Sequence, residues 1–188
     1  MDAIQALTGR VSVAQLTGPD ITPNEEEILF RAALRAPDHA GLRPSRYLTV
    51  RGQAREELGR IFLESAPDSA SLSPDKKEKL LNMPMRAPLI VVAICSIVEH
   101  PKVPRDEQLL STGAGVQNML NAAWALGLGA IWRTGDVSVN PAVASALGLA
   151  ANELIVGFIY IGRLTGEART APQPEVSAFV RQWPAKTS

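Results

Sequence analysis

The stretch Arg35-Ala36-Pro37-Asp38-His39 ends a strongly predicted helix and opens a loop that leads into a strand. It carries a guanidinium group and, four residues later, one of the two histidines of the chain. Cationic and hydrogen-bonding groups in such a loop favour a site for an electron-rich ligand. An ordinary turn at a helix end is the alternative that this stretch alone leaves open.

The helix before this stretch is predicted from its own first residues. Thr22 is expected as the N-cap, Pro23 as the first helical residue and Glu25 as the returning carboxylate of a capping box. Because a residue before a proline is pushed out of the helical region, the helix is predicted to stop at Pro37. Its apolar side follows at spacings of three to four residues: Ile28, Leu29, Ala32 and Ala36.

The composition bounds the class of protein. The 188 residues suit one domain with a sizeable core. The formal net charge is zero, which argues against nucleic acid or an anionic membrane as the main partner. The single Cys95 excludes an intrachain disulfide and a cysteine metal cluster, and it suits a reducing compartment. Without a signal-like amino terminus or a bilayer-spanning apolar run, the protein is expected in the cytoplasm.

Helices and strands are predicted along the rest of the chain. The branched apolar run 88–97 predicts a central strand buried on both faces. Residues 106–126 predict a long helix whose small residues suit close packing in a core or across a subunit interface. The other predicted elements are a first helix capped by Asp2 with Ala3, Ile4 and Leu7 turned inward, strands at 47–51 and 154–161, a short strand before the turn at Gly135, and helices at 54–65 and 141–148.

Two segments are expected to extend from this framework. Residues 66–85 are predicted to form a mobile flap in which Ser73 and Pro74 begin a short basic helix. The lysines of that helix, at 76, 77 and 79, are expected on a solvated face. Residues 163–188, with prolines at 172, 174 and 184, are predicted to form an extended C-terminal arm whose Phe179 and Trp183 anchor it on another surface.

The candidate chemistry lies in loops. The sequence has no dinucleotide-binding glycine pattern after a strand, no P-loop, no nucleophile elbow and no metal-ligand spacing. Arg10 and Ser12, just past the first helix, suit a phosphate, with a surface loop as the alternative. Trp132-Arg133-Thr134 adds a flat ring, a cation and a hydroxyl before a glycine turn. With no obvious nucleophile, this set suits an anionic aromatic cofactor that itself supplies the reactivity.

Several blocks of the chain, from residue 2 to about 162, resemble the nitroreductase family, in particular its short YdjA-type NAD(P)H nitroreductases. The most specific blocks are Ala36-Pro37-Asp38-His39 and Ile131-Trp132-Arg133-Thr134-Gly135. The others lie at 9–12, 31–35, 86–90, 102–105, 129–130 and 156–162.

The resemblance implies a fold and a cofactor. The fold is α+β, with a mostly antiparallel sheet flanked by helices, in a single nitroreductase-like domain over 1–188 that forms an intertwined homodimer. FMN would lie at the dimer interface and contact both subunits, with residues 132–134 reaching it from the other subunit largely through their backbone. The implied FMN contacts are Arg10, Val11, Ser12, Arg35, His39, Trp132, Arg133 and Thr134.

The resemblance also implies an activity. The protein would be a flavoprotein oxidoreductase that passes hydride from NAD(P)H through FMN to nitro compounds, quinones or related acceptors by ping-pong kinetics. No protein residue is assigned to catalysis, although His39 is open to either FMN binding or acid catalysis. Nicotinamide nucleotide binding is implied for a stretch that helix packing also explains: Ala122, Ala123, Trp124, Ala125, Leu126 and Gly127.

Two other functions stay open at this stage. A flavin-binding storage or sensor protein without efficient turnover is the alternative, and a flavin-free dimeric interaction protein is a weaker one. The storage alternative rests on departures from the family pattern. Val11 and Gln15 stand where relatives commonly carry cations, and residues 43–46 read Arg-Pro-Ser-Arg where relatives often have Gln-Pro-Trp-His. Arg43 or Arg46 is hypothesised to replace the missing charge.

Overall fold

The apolar run predicted as a central strand is β2 (Leu89–Ser96), and it forms the middle of the core. Residues 89–95 are each at most 1% exposed, so both faces of this strand are covered, as predicted. It pairs antiparallel with β1 (Ser45–Arg51) on one side and with β4 (Glu153–Gly162) on the other. β3 (Gly129–Arg133) adds antiparallel to β4, which gives the order β1-β2-β4-β3 and confirms the predicted antiparallel sheet.

This computed structural model describes residues 1–183. Pro184 of the predicted arm lies outside the described residues. The helices are α1 (Ala3–Gly9), α2 (Pro23–Ala33), α3 (Ala54–Glu64), α4 (Pro74–Asn82), α5 (Arg105–Ala125), α6 (Asp136–Val139) and α7 (Pro141–Ala146). Short 3-10 helices lie at His39–Gly41, Ser69–Ser71, Met83–Arg86 and Val176–Ala178. Among these described residues, no helix is long and apolar enough to cross a membrane.

Helices cover both faces of the sheet. On one face, Leu29 of α2 and Val116 and Met119 of α5 pack against the sheet residues Val91 and Ile159. On the other face, residues of α3 and α7 pack against the opposite side of β2 and β4. The unpredicted helix is α6, which is only 4 residues long. An element that short shows no apolar periodicity in the sequence.

The start of α2 is the predicted one, but its end is not. The Thr22 side chain accepts from the Glu25 backbone N–H, and the Glu25 carboxylate accepts from the Thr22 backbone N–H, so the capping box is confirmed. The helix nevertheless ends at Ala33, with Leu34 as its C-cap, and does not continue to Pro37. After Leu34 the chain forms tighter turns. The backbone N–H groups of Arg35 and Ala36 donate to carbonyl groups three residues back along the chain instead of four.

The orientation predicted for α1 is wrong. Asp2 caps the helix as expected, and Ala6 is its buried residue. Of the three residues predicted to point inward, Ala3 is exposed, and Ile4 and Leu7 are 68% and 58% exposed. An apolar helix face without cover in one chain indicates a surface that another element is needed to bury.

The two extending segments have different degrees of structure. Within residues 66–85, Ser73 caps α4 as predicted. This helix packs on α3, where an added Cβ on Gly59 would run into the Leu81 carbonyl group. Flap motion stays a prediction. The described part of the arm, residues 163–183, contains one 3-10 helix, and its Phe179 and Trp183 are 77% and 92% exposed.

Candidate functional site

The first loop of the candidate site runs along the edge of β3. Arg10 follows α1 directly as its C-cap, and the loop is tied to the sheet where the Val13 N–H donates to the Ala130 carbonyl at 3.0 Å. Val11 is only 4% exposed, so its side chain belongs to the core and leaves its backbone for a ligand. Ser12 is exposed beside it. The loop therefore presents a guanidinium group and a hydroxyl group at one edge of the sheet.

The indole ring of Trp132 is used for packing. Its Nε1–H donates to the Val156 carbonyl at 3.1 Å, and the ring lies against Gly157, where a Cβ would collide with Nε1. The far end of the ring approaches Gly113 of α5. This position leaves mainly the backbone of Trp132 for a ligand, and the backbone role that the family resemblance implies stays a prediction.

Arg133 joins β3 to the first loop. Its Nη2 donates to the Ala14 carbonyl in a long hydrogen bond of 3.5 Å. Its guanidinium carbon lies 5.6 Å from the centre of the Tyr160 ring, an arrangement in which a cation and an aromatic face attract. Burial raises the pKa of Tyr160 to about 12, so the ring stays neutral. The Nε atom of Arg133 is buried without a hydrogen-bond partner, which marks a donor available to a ligand.

Arg35 and His39 lie at a different place, where α2 ends near the first half of α5. Arg35 is exposed, and no carboxylate pairs with it in residues 1–183. The His39 Nδ1 lies 2.7 Å from the Glu107 carboxylate of α5. The loop that carries His39 is held in shape by Asp38, whose carboxylate accepts hydrogen bonds from the backbone N–H groups of Leu42 and Arg43.

Two cavities flank this loop. One, of about 370 Å³, lies between the end of α2 and the start of β1 and is lined by Asp38, Arg43 and Ser111. The other, of about 310 Å³, is lined by His39, Glu107 and Ser111. Neither lining includes a residue of the first loop or of the turn after β3. The loop that carries His39 therefore forms a part of the candidate site that is separate from the loop at Arg10.

The length of α5 separates Arg10 from His39 within one chain. His39 contacts Glu107 near the start of that helix, and Gly9 lies against Trp124 near its end. At about 1.5 Å of rise per residue, those two positions on α5 are roughly 25 Å apart. One chain thus brings Arg10–Ser12 together with Arg133, which donates to the Ala14 carbonyl. It places Arg10 and His39 near opposite ends of α5, with the ring of Trp132 beside Gly113 between them.

The stretch predicted to bind a nicotinamide nucleotide closes α5. Ala123 is fully buried and packs in the core, so its side chain is unavailable to a nucleotide. Trp124 and Leu126 are half-buried and Gly127 adopts a positive φ of 75° after the helix. Packing and helix termination account for these side chains, and nucleotide binding by residues 122–127 stays a prediction.

Of the two cations hypothesised to replace the missing charge, Arg46 is committed elsewhere. Its Nε and Nη2 each donate to the Glu153 carboxylate at 2.7 Å. Arg43 is exposed and lines the cavity beside Asp38, so it stays the candidate. Ser45, in place of the family's aromatic residue, donates to Thr112 at 3.3 Å.

The sequence prediction missed two features of the candidate site. Glu107 as partner of His39 is 68 positions away along the chain, and no local pattern links them. Lys76 and Lys79, predicted on a solvated face, line a cavity of about 440 Å³ together with Thr134. Their spacing of three residues on α4 is the pattern that places them on one face.

Other reactive groups contribute nothing to this site. Cys95 is buried in β2, and burial raises the pKa of its thiol, so it is a poor nucleophile. Within residues 1–183, no group of three or more histidine, cysteine, aspartate or glutamate side chains is placed to hold a metal ion.

Comparisons with known proteins identify the family and the fold. The sequence profile of the nitroreductase family matches residues 7–163. The protein named "Putative NAD(P)H nitroreductase YdjA" of Escherichia coli K12 is 37% identical over 185 residues, which cover 95% of this chain and 100% of that protein.

Solved structures share the fold at lower identity. A nitroreductase-like family protein from Bacillus cereus matches with a TM-score of 0.86 at 23% identity, over 98% of this chain and 97% of that one. The structure described as "a putative nitroreductase in complex with fmn", from Desulfovibrio desulfuricans, matches with a TM-score of 0.74 at 20% identity, over 96% of each chain. At such identities the likeness concerns the fold, whereas the profile and the Escherichia coli relative establish that this chain belongs to the nitroreductase family.

Proposed function

We propose that this protein is an FMN-dependent oxidoreductase that transfers hydride from NADH or NADPH to nitro compounds, quinones or related acceptors. Membership of the nitroreductase family supports the reaction class. The name of the Escherichia coli relative supports NAD(P)H as the donor, and the Desulfovibrio structure, described as a complex with FMN, supports the cofactor. A cytoplasmic location goes with this proposal.

The observation that carries the proposal is the set of donors at the edge of β3. Arg10 and Arg133 have no carboxylate partner among the described residues, and the buried Nε of Arg133 has no hydrogen-bond partner. Two cations, the Ser12 hydroxyl group and free backbone amides suit a ligand with a phosphate and an electron-rich ring. When bound, FMN supplies the reversible two-electron chemistry that the protein side chains lack.

Each group of residues then has a task. Arg10 and Ser12 bind the phosphate through charge and hydrogen bonds. Arg133 adds positive charge where an electron-rich ring needs it, and a cation there favours the reduced state of a flavin. The backbone near Thr134 orients the ring, because the side chain of Trp132 is held by the sheet.

We further propose that the functional unit is a homodimer and that each pocket draws on both chains. The family resemblance assigned residues 132–134 to the other subunit. The fold supports a different division, in which one chain supplies Arg10–Ser12 with Trp132–Thr134 and its partner supplies Arg35 and His39. The exposed Ile4 and Leu7 of α1 support the presence of a second copy.

The overall reaction with a nitroarene needs no protein acid. One nitroarene, one NAD(P)H and one proton give one nitrosoarene, one NAD(P)⁺ and one water, and solvent supplies the proton. His39 is therefore proposed as a binding group held in place by Glu107, and not as an acid. Its exposed pair with Glu107 also keeps the loop next to α5.

Colour and bleaching test the proposal. The purified protein is expected to be yellow, to release FMN on denaturation, to bleach with NAD(P)H without oxygen and to recover its colour when a nitroarene is added. A colourless protein that FMN cannot reconstitute contradicts the proposal. A protein that binds FMN but neither bleaches nor reoxidises is instead the storage protein considered above.

A further inference from the structure

A cavity of about 440 Å³ opens between α4 and the turn after β3. One wall is formed by α3, α4 and the 3-10 helix that follows α4. The opposite wall is formed by residues 134–137 and Asn140. Its volume lies within the range of small-molecule sites. Because Thr134 is one of the proposed FMN contacts, the inference drawn from this cavity rests on the proposed function.

The floor of the cavity is apolar and fixed in position. Phe62 is 1% exposed and its ring meets that of Phe158 edge to face, with centroids 5.2 Å apart. Leu80, Met83 and Val137 continue the apolar lining. These half-buried aliphatic side chains, packed over the buried Phe62, suit a flat, apolar ring of a ligand.

Two lysines give the cavity its charge. Lys76 and Lys79 lie three residues apart on α4, on the face that also carries Leu80. In the part of the chain that the structure describes, neither lysine has a carboxylate within ion-pair distance. The lining holds one acidic residue, Asp136, so two positive charges face one negative charge.

The neighbouring Lys77 does not share the position of Lys76 and Lys79. Lys77 is absent from the lining and donates its Nζ–H to the Ala70 carbonyl at 2.9 Å. Arg46 and Arg163, the bidentate arginines of the sheet, are each neutralised by a glutamate. Lys76 and Lys79 thus have ammonium groups without a protein ion-pair partner among the described residues, and these groups can bind an anionic ligand.

We propose that this cavity admits flat aromatic electron acceptors that carry a negative charge, and that Lys76 and Lys79 select them over neutral acceptors. The ligand chemistry is an anionic group joined to a conjugated ring system. Both an acidic acceptor and the phosphate groups of NADH and NADPH are anionic, so the test separates these two sources. The acceptor is reduced by two electrons per NAD(P)H consumed, as in the balanced reaction above.

The test compares 4-nitrobenzoate with neutral 4-nitrobenzamide in the FMN-loaded protein. In the double variant Lys76→Met with Lys79→Met, the ratio of kcat/KM for the benzoate to kcat/KM for the benzamide is expected to fall about tenfold, since exposed charge pairs contribute modestly. The matched control is Lys102→Met, an exposed lysine of another loop, in which the ratio should not change. Because both cavity lysines are exposed, the substitutions leave the fold intact, which urea unfolding verifies.

Two further measurements make the outcome decisive. The rates of flavin reduction by NADPH and by NADH should both stay unchanged in the double variant, and a fall in either rate with unchanged acceptor selectivity would overturn the assignment to the acceptor. Loss of FMN affinity in the double variant would also overturn it, because the lysines would then hold the cofactor.

Calorimetric titration of 4-nitrobenzoate into the resting protein needs no turnover. Weaker binding in the double variant but not in Lys102→Met supports the proposal even where turnover fails, and equal binding in both contradicts it. Failure of the proposed function has a different signature: no bound flavin and no turnover of the neutral 4-nitrobenzamide.

Discussion

Arg46 and Glu153 form a bidentate ion pair across the sheet, with both hydrogen bonds at 2.7 Å. The carboxylate also accepts from the Ser96 hydroxyl and the Ala150 N–H, each at 3.0 Å. The Glu153 side chain is only 8% exposed. One buried carboxylate therefore links β1, the end of β2 and the turn before β4, and its partner Arg46 is not free to bind a ligand.

This pair makes stability depend on acid pH. Hydrogen bonds from Arg46 lower the pKa of Glu153 from 4.5 to about 2. A carboxyl group whose pKa is lower in the folded state stabilises the protein above pH 4.5, and that contribution is lost as the pH falls toward 2. We expect Glu153→Gln to lower the free energy of unfolding at pH 7 by about 2 kcal/mol, and the deficit should shrink between pH 5 and pH 2. Urea unfolding across this pH range measures it.

Glu57→Gln is the matched control, since its ion pair with Arg60 is exposed and lies within one helix. Such a pair contributes less than about 1 kcal/mol. A deficit of equal size in both variants, or one for Glu153→Gln that does not change with pH, would show that the carboxylate of Glu153 is not the stabilising group.

Hydrogen bonds between residues close together in the chain could be predicted from the sequence, whereas contacts between residues far apart in the chain could not. Thr22 and Glu25 are three positions apart, and their capping box follows from residue type and spacing. The same Glu25 also accepts two hydrogen bonds from Arg163, 138 positions away. No sequence pattern near either residue indicates that contact. The pairing of strands brings Arg163 there, so the contact requires the whole fold.

The candidate site shows the same division. The loops at Arg10, His39 and Arg133 were identified from their residues and the family resemblance. Their grouping was not, because it depends on the length of α5 and on the pairing of Val13 with Ala130. Lys76 and Lys79 are exposed, as the basic run predicted. Their place in the lining of a cavity with Thr134 depends on the packing of α4 against α3, which no local pattern indicates.

The close approach of Trp132 to β4 makes Gly157 irreplaceable. A Cβ there would collide with the indole Nε1 and approach the Arg133 carbonyl at 2.9 Å. We expect Gly157→Ala to cost roughly 2 kcal/mol of unfolding free energy and to weaken FMN binding, since the turn after β3 must move. Urea unfolding and FMN titration check both. Gly166→Ala, where an added Cβ meets nothing within 4 Å, should change neither property, and a stable Gly157→Ala with normal FMN affinity contradicts the assignment.

If the exposed apolar face of α1 is the dimer interface, negative charges at its centre should prevent dimer formation. If Ile4 and Leu7 are buried by a second copy, the double variant Ile4→Asp with Leu7→Asp should be monomeric, because two carboxylates cannot be buried without partners. Size-exclusion chromatography with light scattering measures the mass. The monomer is expected to bind FMN at least tenfold more weakly, since it lacks the partner's contribution. Val98→Asp, at an exposed apolar residue of a different loop, should remain dimeric; a dimeric α1 variant would place the interface elsewhere.

The proposed division of the pocket between two chains predicts complementation. Arg10→Glu and His39→Glu should each abolish FMN binding in their own homodimers. In a heterodimer of the two variants, one pocket combines the intact Arg10 of one chain with the intact His39 of the other, and the second pocket carries both changes. Refolding an equal mixture should therefore restore about one quarter of the pockets, since half of randomly formed dimers are mixed and each holds one intact pocket. FMN bound per chain and nitroarene turnover measure the recovery. If Arg10 and His39 of a single chain shared a pocket, every mixed dimer would have one damaged residue in each pocket, and no FMN binding would return.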